Sequence, residues 1–313
     1  MHLKEGEIVG EWRDSTYGIG GGKIPFDVNS ALVPAALRSI ARLSSVGILD
    51  LNTTLIDEYA KTWEDSVLQF FEITIPLSQA RKKLETYVNL SGTAGLKSQS
   101  GLVDDDVKFH ALALEGNDDL SLVSIMNTDS CFRLFMLNTT NQPQLTSFLN
   151  ATANNIQRIF PAGLMTDVGL LVSNPAYGNE PVYLTNWTTS NYHGTVVWSW
   201  QLAMMAKGIE LQLARCHSKS APIPDFCADE KVHLNVKKAY NQLWDSIDAN
   251  ARYLTGEVWS WRYDEDGNEG QGRFEFVELG ALPPPMGEGK TESDVVQLWS
   301  LTFLAVRRDE GLK

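Results

Sequence analysis

The chain has 313 residues, of which 43% are hydrophobic and 21% are charged, and its formal net charge is −13. This composition is typical of globular proteins, and the length suits one large domain or two smaller ones. The negative charge argues against nucleic acid and anionic membranes as partners, because both attract basic patches. No apolar run approaches the roughly 20 residues of a membrane-spanning helix.

Taken in chain order, apolar residues at helical spacing predict a series of helices. These cover residues 28–43, 56–71, 77–88, 148–159, 196–213, 232–254 and 295–306. The fifth, 196–213, is apolar on most faces and is therefore expected to be a buried inner helix. Three strand-like runs, 109–114, 120–126 and 132–137, predict a small β insertion over residues 107–137. Residues 258–263 and 273–279 predict a hairpin around the turn at 264–268.

Sequons and cysteines favour an extracellular protein. The five Asn-X-Ser/Thr sites are Asn52, Asn89, Asn138, Asn150 and Asn186. Their number favours a secreted glycoprotein. Cys216 and Cys227 bracket a Ser/Pro-rich stretch and predict a disulfide loop, which leaves Cys131 without a partner. Three reduced, buried thiols are the alternative. No apolar signal segment follows Met1, so secretion would require a mature or truncated form.

Three separated segments place a carboxylate or an imidazole among tryptophans. They are residues 11–15 with Trp12, Arg13 and Asp14, residues 192–201 with Tyr192, His193 and Trp198, and residues 276–279 and 297–300 with Glu278 and Trp299. This mixture suits a carbohydrate cleft, because an aromatic plane covers a sugar face while charged groups act on its oxygens. Asp14 and Glu278 could supply the acid and base of glycoside hydrolysis.

Each segment also has a purely structural interpretation. Asp14 could form a salt bridge, His193 could make a loop hydrogen bond, and Glu278 could be an exposed edge residue. At least one of Trp198 and Trp200 is expected in the core. The glycine run at 18–22 does not fit a phosphate-binding loop, residues 264–268 do not fit a calcium loop, and the histidines lack zinc spacing. We therefore predict no metal and no cofactor.

Together the segments resemble the six-hairpin, (α/α)6-barrel glycosidases, and most closely the amylo-α-1,6-glucosidase catalytic domain of glycogen debranching enzymes. Trp12-Arg13-Asp14-Ser15 resembles that family's Trp-x-Asp-Ala, and residues 22–32 resemble its Gly-Lys-Pro-Val-Glu-Ile-Asn-Ala-Leu with two inserted residues. Residues 192–200 are similar to Tyr-His-x-Gly-Thr-Val-Trp-Pro-Trp with a shift of one residue. Residues 277–279 and 297–300 are similar to Ser-Glu-Ile and Gln-Ala-Trp-Ser.

The resemblance implies a mainly α fold, an (α/α)6 toroid, formed as a single domain by residues 1–313. It implies an inverting glycoside hydrolase acting on an α-glucoside-type oligosaccharide or glycan, with Asp14 as general acid and Glu278 as general base. The implied sugar-binding residues are Trp12, Arg13, Asp27, Asn29, Tyr192, His193, Trp198 and Trp299. Asp27 and Ser199 replace the family's glutamate and proline, and these departures bear on the substrate.

The position of Asp14 near residue 1 adds a further expectation. In the family several helices precede the acid, so we expect the chain to be the C-terminal part of a larger barrel that is incomplete at its N-terminus. An N-terminal fragment or a second chain would complete it. The alternative functions are a non-catalytic carbohydrate-binding protein on the same scaffold and a sugar epimerase, although epimerases usually need paired histidines and only His193 is well placed.

Overall fold

The computed structural model describes residues 12–13, 24–114, 121–178, 180–219, 222–267, 272–284 and 298–313. Within them the protein is mainly α-helical, as predicted. The α-helices are α1 Val28–Ser45, α2 Thr53–Ser66, α3 Leu77–Leu90, α4 Ser130–Met136, α5 Gln142–Gln157, α6 Pro181–Asn186, α7 Ser199–Ala214 and α8 Glu230–Ala249. None of these helices is long and apolar enough to cross a membrane.

Short strands link the helices. They are β1 Ile24–Pro25, β2 Glu72–Ile75, β3 Val107–His110, β4 Ala113–Leu114, β5 Leu122–Val123, β6 Met126–Asn127, β7 Met165–Thr166, β8 Gly169–Leu170, β9 Ser173–Asn174, β10 Val197–Trp198, β11 Val258–Asp264 and β12 Arg273–Val277. They form small antiparallel sheets in the orders β1-β4-β5, β10-β11-β12, β2-β3, β6-β9 and β7-β8. The predicted hairpin is β11-β12. Strands β3 and β4 pair with β2 and β1, which lie outside the predicted insertion.

Most of the predicted helices are confirmed, as α1, α2, α3, α5, α7 and α8. The strand predicted at 132–137 is wrong, because these residues belong mainly to α4. Helix α4 buries Cys131, Phe132 and Leu134, and an apolar run that is buried on most faces shows no period that separates helix from strand. The described part of the predicted 295–306 helix is a 3₁₀ helix, Leu298–Leu304.

Side-chain caps set where several helices begin. The side chain of Asp27 accepts a hydrogen bond from Asn29 N at the start of α1, and Asn52 does the same for Leu55 N at the start of α2. Asp229 caps α8 through Val232 N. Such caps satisfy backbone N–H groups that have no partner inside the helix.

Two pairs of consecutive helices pack against each other, α1 with α2 and α7 with α8. Helix α4 lies between α1 and α7, and α5 packs against α8. Helix α7 is buried on most faces, as predicted, through residues such as Leu202, Met205 and Ile209. Its Gly208 approaches α4 so closely that a Cβ there would lie 2.7 Å from Leu134 Cβ. Helices α1, α4 and α7 therefore form a row with α4 in the middle.

A group of amide side chains joins α5 to α8. Asn235 Nδ2 donates to the side-chain oxygens of Asn150 and Asn154, at 2.8 Å in both cases. Gln157 Nε2 donates to Asn235 Oδ1 at 2.6 Å. The two helices are therefore connected by polar contacts as well as by apolar ones.

Two further features concern the surface and the cysteines. The α1–α2 pair exposes apolar side chains that are between 40% and 67% accessible, namely Leu32, Leu43, Val46, Ile48, Leu51, Leu55 and Tyr59. Cys216 and Cys227 form the predicted disulfide, which closes the connection between α7 and α8. Cys131 is buried and free.

Candidate functional site

A buried ion pair forms the centre of the candidate site. Arg13 and Asp129 are both inaccessible to solvent, and their nearest oxygen and nitrogen lie 3.2 Å apart. Asp129 stands directly before α4, yet its side chain does not cap the helix. The carboxylate instead accepts hydrogen bonds from Arg13 Nε and Nη2, Trp12 Nε1 and Gln201 Nε2. Asp129 thus binds both described residues of the N-terminal segment.

The guanidinium of Arg13 is saturated with protein acceptors. Besides Asp129 it donates to Ser173 Oγ at 2.9 Å, Val172 O at 3.1 Å and His193 O at 3.4 Å. An arginine has five N–H donors, and these contacts use all of them. Because no donor remains for a sugar, we assign Arg13 a structural role in place of the predicted sugar contact.

Aromatic rings surround this ion pair. The ring centroid of Trp12 lies 5.2 Å from that of His193 and 5.3 Å from those of Trp198 and Trp200, always edge to face. His193 stacks on Trp198 at 5.5 Å. Tyr192 lies edge-on to Trp198 at 4.6 Å. The first two of the three sequence segments therefore meet in space, and we call these five rings the aromatic cluster.

The rings of the aromatic cluster differ in their exposure to solvent. Trp198 is only 1% exposed, and its indole N–H donates to Tyr192 O at 3.0 Å. This geometry supports a packing role for Trp198. Trp12, Tyr192 and Trp200 are partly exposed, so they are the rings of the cluster that a ligand can reach.

His193 is held as a neutral imidazole. Burial, together with the positive charge of Arg13, lowers the pKa of His193 to about 3. At neutral pH the ring is therefore uncharged. It can take part in hydrogen bonds, but it is not an imidazolium that could act as an acid. Gly194 next to it is required sterically, because a Cβ there would lie 2.2 Å from Thr188 O.

Asp27 and Asn29, both predicted to bind sugar, lie at the start of α1. The carboxylate of Asp27 accepts from Asn29 N at 2.9 Å and from Asn29 Nδ2 at 3.3 Å. Burial, and then the negative charge of Asp129, raise the pKa of Asp27 to about 7 in spite of these bonds and of Arg13. Asp27 is therefore a carboxyl group that holds its proton up to near-neutral pH.

A second buried carboxylate, Glu257, adjoins the aromatic cluster through Trp299 and β11. It precedes β11, whose Val258 pairs with Trp198 of β10, and its carbonyl accepts from Ser199 N at 3.1 Å. Glu257 is 0% exposed, whereas Trp299 is 46% exposed. The indole N–H of Trp299 donates to Glu257 Oε1 at 2.7 Å, and its ring lies 6.0 Å from Trp198.

Several buried polar groups at the start of α7 and beside Trp299 have no hydrogen-bond partner among the described residues. They are Ser199 Oγ, Trp200 Nε1 and Ser300 Oγ. Ser199 pairs through its backbone with Glu257, and Ser300 follows Trp299. Buried polar atoms normally have a protein or water partner. This part of the molecule therefore has spare capacity to bind a water molecule or a ligand hydroxyl.

The two predicted catalytic carboxylates are Asp14 and Glu278, and only Glu278 is among the described residues. Asp14 lies outside the described residues. Glu278 is exposed at the end of β12, and the next residue, Leu279, packs with Trp198 and Val258. Glu278 is thus at the edge of the aromatic cluster, and its role as base stays a prediction.

Sequence reasoning did not single out Asp129 or Glu257. Asp129 belongs to no spaced motif, and only its burial against Arg13 reveals it. Glu257 does carry a signal, since it is a charged residue directly before the apolar run Val258–Trp261, and β11 buries that run on both faces. A carboxylate in such a place is either buried with a partner or functional.

A surface cavity lies apart from this site among the described residues. It has a volume of about 660 Å³, lies beside β12 and is lined by Asp167, Tyr253, Arg273 and Glu275, among others. Arg273 forms an ion pair with Glu275, and Asp167 accepts a hydrogen bond from Phe274 N. In the described part of the chain, no group of histidine, cysteine and acidic residues is arranged to hold a metal ion.

Comparisons with known proteins provide no relative on which to base an assignment. No protein-family model matches the chain, and no curated protein matches it significantly. The functional argument therefore rests on the geometry of Arg13, Asp129, Glu257 and the aromatic cluster.

Proposed function

We propose that the protein is an inverting glycoside hydrolase that acts on an α-glucoside-type oligosaccharide or glycan. The observation that carries the proposal is Glu257, a fully buried carboxylate bonded to the half-exposed indole of Trp299 beside the aromatic cluster. A half-exposed ring offers a sugar a flat apolar face. A carboxylate behind it can act on the bond or the water at that sugar.

In the proposed reaction Asp14 is the general acid, as the resemblance implies, and Glu257 takes the place of Glu278 as general base. The carboxyl of Asp14 gives its proton to the glycosidic oxygen while the bond from C1 to that oxygen breaks. Glu257 accepts a proton from a water molecule, whose oxygen forms the new bond to C1 from the opposite face. The product therefore has the inverted anomeric configuration. Such carboxyl groups are about 6.5–9.5 Å apart to leave space for the water.

The choice of Glu257 over Glu278 follows from their surroundings. The carboxylate of Glu257 is held by Trp299, its backbone carbonyl accepts from Ser199 N, and the hydroxyls of Ser199 and Ser300 have no hydrogen-bond partner among the described residues. Glu278 is solvent-exposed, and bulk water competes for an exposed carboxylate. A base needs a defined position towards the proton that it removes.

The arrangement of the helices supports a toroid built from helical hairpins as the scaffold. Helix α4 adjoins both α1 and α7, helix α5 adjoins α8, and the consecutive helices α1–α2 and α7–α8 pack as hairpins. This order is expected of an arc with an inner and an outer layer. Further hairpins would pack on the exposed apolar side chains of α1 and α2, such as Leu32, Leu43 and Tyr59. The intact mass of the native protein tests whether another polypeptide accompanies this chain.

The experiment that tests the function is a sugar-release screen with α-linked oligosaccharides and glycans, followed by NMR of the first product formed. We expect release of a sugar with inverted anomeric configuration. Retention of configuration would contradict the assignment of a base. Sugar binding without release would favour a carbohydrate-binding protein.

A further inference from the structure

We propose that the cavity beside β12 binds sugar units of the substrate that lie remote from the cleaved bond, so that the protein prefers long glycans to short oligosaccharides. The inference rests on the proposed hydrolase function and extends it to the length of the substrate. The cavity has a volume of about 660 Å³ and is lined mainly by the β7–β8 turn, the residues that follow α8, and β12. Ligand sites in proteins typically measure about 300–1,000 Å³.

A stack of three side chains forms part of the wall of this cavity. The rings of Tyr253 and Phe276 are parallel to within 4°, with centroids 3.6 Å apart. The guanidinium of Arg252 lies over the Tyr253 ring, with Cζ 4.6 Å from the ring centroid. Because Phe276 fills one face of Tyr253, the guanidinium occupies the other face. Both rings are partly exposed, so the stack presents apolar ring surface beside N–H donors, and a sugar offers C–H groups and hydroxyls to match.

Two charged groups of the cavity retain hydrogen-bonding capacity for a ligand. Arg252 is exposed and forms no ion pair with a described residue, and its ring contact with Tyr253 holds the guanidinium in place. Asp167 is also exposed, and only its Oδ2 has a partner among the described residues, namely Phe274 N at 2.8 Å. The guanidinium can donate to sugar hydroxyls and the carboxylate can accept from them. The cavity therefore holds both kinds of partner that a neutral sugar needs.

Strand β12 connects the cavity to the proposed catalytic site. Phe276 lies two residues before Glu278, whose backbone is extended. Two extended residues span about 7 Å. Leu279 follows and packs with Trp198 of the aromatic cluster. A glycan that is longer than the sugars at the cleaved bond can therefore bind at a second place a short distance along the same strand.

Binding at a remote place affects long and short substrates differently. The probes are α-linked glucose oligosaccharides of two and of seven units. In Arg252→Ala we expect kcat/KM on the seven-unit sugar to fall by about tenfold, the order expected for a lost hydrogen bond to a charged group. The loss should appear in KM, because this contact does not change in the transition state. The two-unit sugar should be cleaved as by the wild type, because it does not reach the cavity.

A second variant and a control make the test specific. Phe276→Ala removes ring surface from the cavity and should show the same dependence on substrate length. Arg42→Ala is the matched control, since Arg42 is an exposed arginine on α1 and does not line the cavity. It should leave both rates unchanged. Migration in native gels that contain soluble starch measures binding without hydrolysis, and Arg252→Ala should be retarded less than the wild type.

The possible outcomes separate the two proposals. Equal losses on both oligosaccharides in Arg252→Ala and Phe276→Ala, or no loss on either, would overturn binding at the cavity and leave the hydrolase function standing. A wild type that cleaves neither oligosaccharide overturns the proposed hydrolase function. Retardation by starch that depends on Arg252 would then still support a carbohydrate site in the cavity, whereas retardation that does not depend on Arg252 would overturn that site as well.

Discussion

The indole N–H of Trp299 donates a hydrogen bond to Oε1 of Glu257 over 2.7 Å. The tryptophan ring is exposed to solvent, whereas the carboxylate that it binds is buried. The contact gives the carboxylate one orientation. It also makes the position of Glu257 dependent on the 3₁₀ helix Leu298–Leu304, which packs on α7.

Glu257 and Glu278 are the two candidates for the general base, and substitution distinguishes them. We expect Glu257→Gln to lower kcat by at least about 100-fold, because an amide cannot accept the proton from water. Glu278→Gln should change kcat less than about threefold, since surface substitutions have small effects. Initial rates on the best substrate of the screen provide the measurement. A large loss in Glu278→Gln with an active Glu257→Gln would reverse the assignment.

The buried ion pair should dominate the effect of substituting Arg13. Arg13→Met leaves the carboxylate of Asp129 buried without its cation, which is expected to cost about 3–5 kcal/mol in the free energy of unfolding. The double variant Arg13→Met/Asp129→Leu should recover part of this loss, because it leaves no unpaired charge. Urea denaturation gives both values.

An exposed ion pair supplies the control for that experiment. Lys61 and Asp65 form a salt bridge on α2 in which the lysine side chain is 61% exposed. Lys61→Met should cost no more than about 1 kcal/mol. Equal losses in Lys61→Met and Arg13→Met would argue against the importance of burial.

Asp27 should make the stability of the protein depend on pH. Its pKa is raised to about 7 in the folded protein, whereas an unfolded aspartate titrates near 3.9, an approximate reference value. Between these values the folded state holds a proton that the unfolded state has lost, so stability falls as pH rises, and above about 7 the effect is constant.

Asp27→Asn removes this titration. The difference in the free energy of unfolding between the wild type and the variant therefore reports on Asp27. The free energy of unfolding of the wild type, relative to the variant, should decline from pH 4 to pH 7 and then level off. His193, whose pKa is lowered to about 3, acts in the opposite direction, but it is present in both proteins and cancels. A difference that rises with pH would show that Asp27 is ionised in the fold.

The structure separates three of the five sequons, whose asparagines are exposed, from a fourth at Asn150. Asn52, Asn89 and Asn138 are exposed, whereas Asn150 is bonded to Asn235 across the α5–α8 contact. After expression through a secretory pathway we expect glycans on the three exposed sites and none on Asn150. Peptide mass mapping after enzymatic deglycosylation measures the occupancy. Occupancy at Asn150 would require this contact to open.

Patterned helices could be predicted from the sequence, because α1, α2 and α8 each have one apolar face and a capping side chain at the start. Helix α4 could not, since burial on most faces removes the periodic signal. The same property did not prevent the prediction of α7, which is long enough to exclude a strand.

For the site, the convergence of Trp12 with His193 and Trp198 could be expected from the order of the segments. The roles of Asp129 and Arg13 could not be expected from the sequence, because both depend on which groups the fold brings within hydrogen-bonding distance. A lone aspartate has no spacing, and an arginine beside a tryptophan looks like a ligand contact until its donors are counted. The sequence alone does not show that every N–H donor of Arg13 is bonded to an acceptor within the protein.

The amide side chains between α5 and α8 have a consequence for how the two helices can move. Sliding α8 by one helical turn, about 5.4 Å, would separate Asn235 from Asn150, Asn154 and Gln157 together. Apolar faces tolerate such a slip more easily, since one aliphatic contact replaces another. The amides therefore specify a single axial register for this helix pair, and an Asn235→Leu protein should sample more than one.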